Sequence, residues 1–124
     1  MVFTIYVHLK CSTCQKAILF LEQQKIIYKA KDITKTAPTL EELQFMLTHT
    51  NGNVKKLFNT SGILYRELQI SQKLPNMSLD QALDLLTQNG MLVKRPFLIG
   101  NHIGILGFRE QEWLKALCNN LVLK

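Results

Sequence analysis

The segment His8-Leu9-Lys10-Cys11-Ser12-Thr13-Cys14-Gln15-Lys16-Ala17 carries two cysteines separated by two residues. Before it, residues 2–7 form a short apolar run of β-branched and aromatic side chains, which is typical of a buried β-strand. After it, residues 15–24 place apolar side chains at helical spacing. The pattern predicts a strand-to-helix turn, with Cys11 just outside the helix and Cys14 in its first turn.

The predicted position of the cysteines favours thiol chemistry. A helix N-terminus presents free N–H groups and a partial positive charge, and both stabilise a thiolate. The first cysteine of such a motif has a pKa of roughly 3.5–7.5, compared with about 8.5 for a free cysteine. Lys10 and Lys16 add positive charge nearby. We therefore expect Cys11 to be the nucleophile and Cys14 to resolve it into a disulfide.

Two other interpretations of the motif stay open at this level. A structural zinc site needs four ligands, whereas His8, Cys11 and Cys14 would supply three. The two cysteines could also be inert and buried. Their position on a turn favours a redox or nucleophilic site, and we expect no bound metal. The third cysteine, Cys118, is expected to be a small, half-buried apolar residue.

Composition limits the class of protein. A chain of 124 residues that is 47% hydrophobic predicts one domain over residues 1–124. There is no basic-then-apolar leader and no apolar run of the roughly 20 residues that span a bilayer, so we expect a cytoplasmic protein without membrane contact. An odd number of cysteines favours a working thiol over a disulfide framework. The net charge of +6 suits an oxyanion or an acidic protein surface. The basic residues are scattered, which does not favour direct nucleic-acid binding.

The rest of the chain predicts two strand pairs separated by helices. Residues 25–30 are a second predicted strand, and strand, helix, strand in this order implies a parallel pair. Thr39 and Ser78 are predicted helix N-caps within the middle of the chain. Residues 96–99 and 103–106 are too closely joined to be anything but an antiparallel pair. The last predicted helix covers residues 110–117.

Several segments give the sequence a family resemblance. They are Lys56-Leu57-Phe58-Asn59-Thr60-Ser61-Gly62, Leu64-Tyr65-Arg66-Glu67-Leu68, Asn89-Gly90-Met91-Leu92-Val93-Lys94-Arg95-Pro96 and Gly107-Phe108. Together with the cysteine motif, they resemble the ArsC family of arsenate-reductase-like proteins, which includes the Spx and MgsR regulators. The resemblance implies an α/β, thioredoxin-like fold, with a mixed four-stranded sheet and a helical insertion between strands 2 and 3.

The resemblance also implies further site residues. Pro96 matches the cis-proline that stands beside the thiols of thioredoxin-like folds. Arg95 matches the arginine that faces the catalytic cysteine and holds an oxyanion. A guanidinium both lowers a thiol pKa and binds an oxyanion through paired hydrogen bonds. We expect Lys10, Ser12 and Thr13 to shape the same site.

This sequence departs from the three arginines that surround the thiolate in true arsenate reductases. Aligned on the motifs, one position holds Asn59, the second holds Arg95 and the third falls near Phe108. Arg109, next to the third position, is a partial substitute. The chain also has Cys14 where many glutaredoxin-dependent members have serine, which suits an internal disulfide.

Two functional hypotheses follow from the resemblance. The favoured one is a monomeric thiol–disulfide oxidoreductase that binds no cofactor and is reduced by thioredoxin, glutaredoxin or a low-molecular-weight thiol. The alternative is a redox-sensing transcriptional regulator of the Spx/MgsR type, which binds the C-terminal domain of the RNA polymerase α subunit. Gly52 matches a glycine that Spx uses for that contact, and the missing arginines also favour this alternative.

Overall fold

The strands of the sheet come from both ends of the chain. In the computed structural model, which describes residues 2–119, β1 (Phe3–Val7) and β2 (Tyr28–Asp32) precede a long helical region, and β3 (Phe97–Gly100) and β4 (Ile103–Leu106) follow it. The strand order is β2-β1-β3-β4. The β1–β3 and β3–β4 pairs are antiparallel. Since the sheet is mixed, the remaining pair, β1 and β2, is the parallel one.

Six α-helices connect and flank these strands in the described part of the chain. They are α1 (Ser12–Gln23), α2 (Leu40–Thr48), α3 (Ile63–Glu67), α4 (Ile70–Lys73), α5 (Leu79–Gln88) and α6 (Glu110–Trp113). Short 3-10 helices cover Val54–Leu57, Leu74–Asn76 and Gly90–Leu92, and a π-helix covers Leu114–Asn119. Within residues 2–119, none of these helices is long and apolar enough to cross a membrane.

The chain divides into two compact units. The first contains the sheet with α1 and α6, in residues 2–31 and 95–119. The second, Asp32–Lys94, contains α2 to α5. The helical unit thus lies in the sequence between β2 and β3, which confirms the predicted insertion and the thioredoxin-like fold.

The core of the first unit is centred on Trp113. Its side chain is fully buried, and its ring packs edge-on against Phe20 at 5.9 Å and Phe108 at 4.9 Å between ring centroids. The indole Nε1–H donates a hydrogen bond of 3.0 Å to the Gly107 carbonyl, so the buried polar atom is paired. This contact ties α6 to the loop that follows β4, while Leu21 of α1 is buried in the same cluster.

The second unit is held by two capped helices. Thr39 and Ser78 are N-caps, as predicted, and each forms a capping box with the residue three positions later, Glu42 and Gln81 respectively. In each box two backbone N–H groups, which a bare helix end leaves unsatisfied, donate to side-chain oxygens.

The second strand and the last helix were predicted with wrong boundaries. The second strand begins at Tyr28 and not at residue 25, because the chain first closes α1 through a left-handed Lys25 (φ 57°) and a hydrogen bond of 2.9 Å from the Ile26 N–H to the Leu21 carbonyl. The last α-helix ends at Trp113, and Leu114–Asn119 is π-helical. Apolar spacing alone did not distinguish the wider turn from an α-helical one.

Candidate active site

Cys11 is the N-cap of α1. Its backbone is extended (φ −91°, ψ 115°), and its Sγ accepts a hydrogen bond from the Cys14 N–H at 3.4 Å. The N-cap is the position from which a side chain reaches the free N–H groups of the first helical turn. The structure therefore confirms that Cys11 lies just outside the helix and Cys14 in its first turn.

The two thiols differ in their access to solvent. Cys11 is half-buried, whereas Cys14 is only 2% exposed and belongs to the core of the first unit. Both are free thiols, as is Cys118. A molecule arriving from solvent therefore meets Cys11 first.

The thiol pKa values move in opposite directions. Partial burial raises the pKa of Cys11. The opposing effects are together larger: hydrogen bonds from the Cys14 thiol and from the Cys14 and Thr13 backbone, and the charge of Arg95, lower this pKa. The net result is a Cys11 pKa below the ordinary value. Burial raises the pKa of Cys14 to about 12, and the Cys11 sulfur raises it as well. Cys11 is thus the thiol that ionises first.

Arg95, two residues before the start of β3, acts on both thiols. Its side chain is half-buried, and its positive charge lowers the pKa of Cys11 and of Cys14. The Arg95–Pro96 peptide bond is cis, as the resemblance implied. Pro96 is buried, and its carbonyl accepts the Gly107 N–H at 2.9 Å. The Arg95 guanidinium therefore lies close enough to Cys11 for its charge to favour the Cys11 thiolate.

The cysteine loop itself is braced by residues that the sequence patterns did not single out for this purpose. The His8 Nδ1 accepts the Lys10 N–H at 3.0 Å, and the Gln15 Nε2 donates to the Leu9 carbonyl at 3.1 Å. The His8 backbone also lowers the pKa of Cys14. Gln15 directly follows the motif. Its polar side chain in the first turn of the helix was the one sequence signal that could have indicated this contact with the loop.

The other predicted site residues have varied surroundings. Lys10 and Ser12 are exposed beside Cys11, and Thr13 is half-buried. The Arg109 side chain is 81% exposed, and its Nη1 lies 3.5 Å from Glu112 Oε1. A role of Arg109 as a partial substitute for a family arginine stays a prediction.

Asn59 and Gly52 belong to the second unit. The Asn59 N–H donates to the Leu92 carbonyl at 2.7 Å, and its own carbonyl accepts the Gly62 N–H at 3.0 Å. Gly52 is exposed in a left-handed conformation (φ 78°), in which glycine is favoured. The functional roles of Asn59 and Gly52 stay predictions. Across residues 2–119, no group of three or more His, Cys, Asp and Glu side chains is arranged to hold a metal ion.

Comparison with known proteins adds independent findings. The sequence model of the ArsC family matches residues 6–116. The chain is 39% identical over 113 residues to the uncharacterized protein YusI of Bacillus subtilis (strain 168), covering 91% of this chain and 96% of YusI. It is 26% identical over 112 residues to the regulatory protein MgsR of the same organism, covering 90% of this chain and 87% of MgsR.

A solved structure has a similar fold. The crystal structure of a possible arsenate reductase from Streptococcus mutans UA159 superposes with a TM-score of 0.79 at 40% sequence identity. The alignment covers 86% of this chain and 91% of that one. The similarity therefore extends over most of both chains.

Proposed function

The chain belongs to the ArsC family, and we propose that it is a thiol–disulfide oxidoreductase resembling the arsenate reductases, with Cys11 as the nucleophile and Cys14 as the resolving thiol. The observation that carries the proposal is the geometry of the N-cap. A solvent-accessible Cys11 sulfur accepts a helix N–H, and the second thiol lies directly behind it in the core. The 40% identity to a possible arsenate reductase supports the same class of chemistry.

The reaction proceeds in two steps. The Cys11 thiolate attacks the arsenic of arsenate, an S–As bond forms, and an As–O bond breaks with loss of water. The sulfur of Cys14 then attacks the sulfur of Cys11, and the Cys14 proton passes to an oxygen of the leaving group. The S–As bond breaks, its electron pair stays on arsenic, and arsenite leaves a Cys11–Cys14 disulfide behind.

Arg95 contributes charge at the reacting sulfur. Its guanidinium favours the Cys11 thiolate before the attack and offers two parallel donors to the oxygens of a bound oxyanion. The high pKa of Cys14, about 12, keeps this thiol protonated until the adduct has formed. The two thiols thereby take different roles, as in other sites where the environments of a pair push their pKa values apart.

A dithiol or two small thiols return the enzyme to its reduced form. We infer that thioredoxin, glutaredoxin or a low-molecular-weight thiol supplies the two electrons, as in other ArsC-family proteins, with no bound cofactor. The three free cysteines suit the reducing environment of the cytoplasm, where we place the protein as a monomer.

The proposal is tested by a single turnover. The fully reduced protein is mixed with arsenate without any external reductant, and arsenite is measured. We expect arsenite in an amount equal to the protein, from the wild type and from a Cys118→Ser control alike. Absence of arsenite, with the thiols still reduced, would show that arsenate is not the substrate.

A second candidate function is favoured by the match to MgsR. In this alternative, oxidation of the cysteine pair is a signal, and the protein binds the C-terminal domain of the RNA polymerase α subunit through a surface that includes the exposed Gly52. A pull-down with that domain tests it, with Gly52→Arg expected to abolish capture and Gln72→Arg, at another exposed position, expected to preserve it. A wild-type chain that does not capture the domain in either redox state would exclude this function.

A further inference from the structure

Leu9 is an exposed apolar side chain two residues before the reactive cysteine. It is 71% exposed and lies two residues after Val7, the last residue of the buried strand β1. Single exposed leucines are ordinary on protein surfaces. Leu9 differs from other exposed leucines because it is two residues from Cys11. A protein that covers Cys11 also reaches the residues beside it.

The loop holds Leu9 in this position through three hydrogen bonds. The Gln15 Nε2 donates to the Leu9 carbonyl at 3.1 Å, the Lys10 N–H donates to His8 Nδ1 at 3.0 Å, and the Cys11 N–H donates to the His8 carbonyl at 3.0 Å. A loop fixed on both sides of Leu9 loses little conformational freedom when a partner binds. The leucine is therefore pre-organised for contact.

The charges around the loop indicate the kind of partner. Residues 1–21 contain no Asp or Glu, while Lys10 and Lys16 are exposed on either side of the motif. A partner that buries Leu9 and faces these lysines presents an apolar patch bordered by acidic side chains. Neither a small oxyanion nor a small thiol has an apolar patch to bury.

Reduction of the oxidised pair brings the incoming thiol to Cys11. Cys14 is 2% exposed, so an incoming thiolate attacks the Cys11 sulfur. A mixed disulfide forms, the Cys11–Cys14 bond breaks, and Cys14 leaves with the electron pair and takes up a proton. A second thiolate of the same partner then attacks the partner's own sulfur, and Cys11 leaves as a thiolate. The partner is oxidised to its disulfide, and two electrons reach the cysteine pair.

We propose that Leu9 is a specificity residue that docks a dithiol protein reductase, with an acidic border around its reactive thiol, onto the Cys11–Cys14 disulfide. The proposal rests on the thiol–disulfide function proposed above. It predicts that the chain is reduced faster by such a protein than by a small dithiol. The raised pKa of Cys14 makes it a slow leaving group. A complex with the reductant that lasts longer gives this slow step more time, and therefore raises the rate at which the disulfide is reduced.

The test compares two reductants on two leucine variants. The Cys11–Cys14 disulfide is made with diamide, so arsenate does not enter, and its reduction is followed with thioredoxin and with dithiothreitol as probes. For Leu9→Ser we expect the thioredoxin rate constant to fall about tenfold and the dithiothreitol rate to stay unchanged. Leu19→Ser, which changes an exposed leucine of α1, is expected to alter neither.

Several outcomes would overturn the role of Leu9. These are an unchanged thioredoxin rate in Leu9→Ser, an equal loss with both reductants, or a wild type reduced no faster by thioredoxin than by dithiothreitol at the same concentration. Alkylation of reduced Cys11 at fixed pH serves as the check that Leu9→Ser leaves the thiolate intact. Arsenite release separates the two proposals. If Leu9→Ser releases arsenite normally in a single turnover, its defect is confined to reduction of the disulfide. If the wild type releases no arsenite, the proposed function is wrong, whatever the role of Leu9.

Discussion

The backbone N–H of Cys14 lies 3.4 Å from the Sγ of Cys11 and donates a hydrogen bond to it. This contact places the sulfur of Cys11 at the positive end of α1, where a thiolate is stabilised by the helix dipole and by free N–H groups. It also fixes the order of the two thiols, because the residue that donates this N–H carries the second, buried sulfur. The proposed roles of the two cysteines depend on that order.

The two cysteines should fail in different ways when they are replaced. Cys11→Ser should abolish arsenite formation, because no nucleophile remains at the N-cap. Cys14→Ser should still form the first adduct and then accumulate it, because no thiol displaces arsenic. Intact mass of each variant after incubation with arsenate measures the difference. Equal arsenite release by Cys14→Ser and the wild type would contradict the resolving role.

The pH dependence of Cys11 alkylation should show one ionisation. Because the pKa of Cys11 is lowered, its thiolate should form at a lower pH than that of a free cysteine, and the alkylation rate should rise with pH and then level off. Cys14 should stay unreactive over the same range, because its pKa is raised to about 12. The rate is measured in a Cys118→Ser background, so that only the pair contributes.

Removal of the neighbouring thiol should shift this curve in a defined direction. The Cys14 thiol donates a hydrogen bond that lowers the pKa of Cys11, so Cys14→Ala should move the alkylation curve to higher pH. A curve that stays in place, or that moves to lower pH, would show that the Cys14 thiol does not stabilise the Cys11 thiolate.

Replacement of Arg95 should separate its two roles. Arg95→Lys keeps the positive charge but loses the two parallel donors, so we expect a weaker apparent affinity for arsenate, by about tenfold or more, with a nearly unchanged Cys11 alkylation curve. Arg95→Met should weaken arsenate binding and also shift that curve to higher pH, because the charge is lost.

The matched control for Arg95 is Arg66→Met, which removes an exposed arginine of α3. It should change neither the arsenate KM nor the alkylation curve. If Arg95→Met behaves as Arg66→Met does in both assays, Arg95 has no part in the site.

Gly90 should be intolerant of a side chain. An added Cβ would clash with the carbonyl oxygen of Ile33, which belongs to the backbone and cannot simply rotate away. Gly90→Ala should therefore lower the free energy of unfolding by about 1–3 kcal/mol, measured by denaturant titration. At Gly52 the space is open but φ is 78°, and Gly52→Ala should cost about 1 kcal/mol. A Gly90→Ala protein as stable as the wild type would contradict the close approach.

Local signals predicted much of the fold. Cys11 just before the helix, the N-caps Thr39 and Ser78, and β4 at Ile103–Leu106 all followed from the chemistry of neighbouring residues. The start of β2 did not, because Lys25 adopts a left-handed conformation that closes α1 by a contact to Leu21. Such a turn depends on a backbone hydrogen bond, which the β-branched residues of the segment do not predict.

The candidate site was predictable to a similar degree. The cysteine pair came from its spacing and its place before a helix, and Arg95 and the cis bond before Pro96 came from the family resemblance. The side chain of Gln15 on the Leu9 carbonyl was not predictable, because a polar residue in a first helical turn has many possible partners. Its role appears only when the loop geometry is known.

The most direct test of the proposed chemistry is the intact mass of the reduced protein after one equivalent of arsenate, followed by peptide mapping. We expect a loss of two hydrogens, with Cys11 and Cys14 joined in one disulfide and Cys118 still free. An unchanged mass with arsenate, or a disulfide that includes Cys118, would contradict it. If peroxide and not arsenate produces the Cys11–Cys14 disulfide, the claim of arsenate chemistry is wrong and the pair is a redox sensor or acts on another substrate.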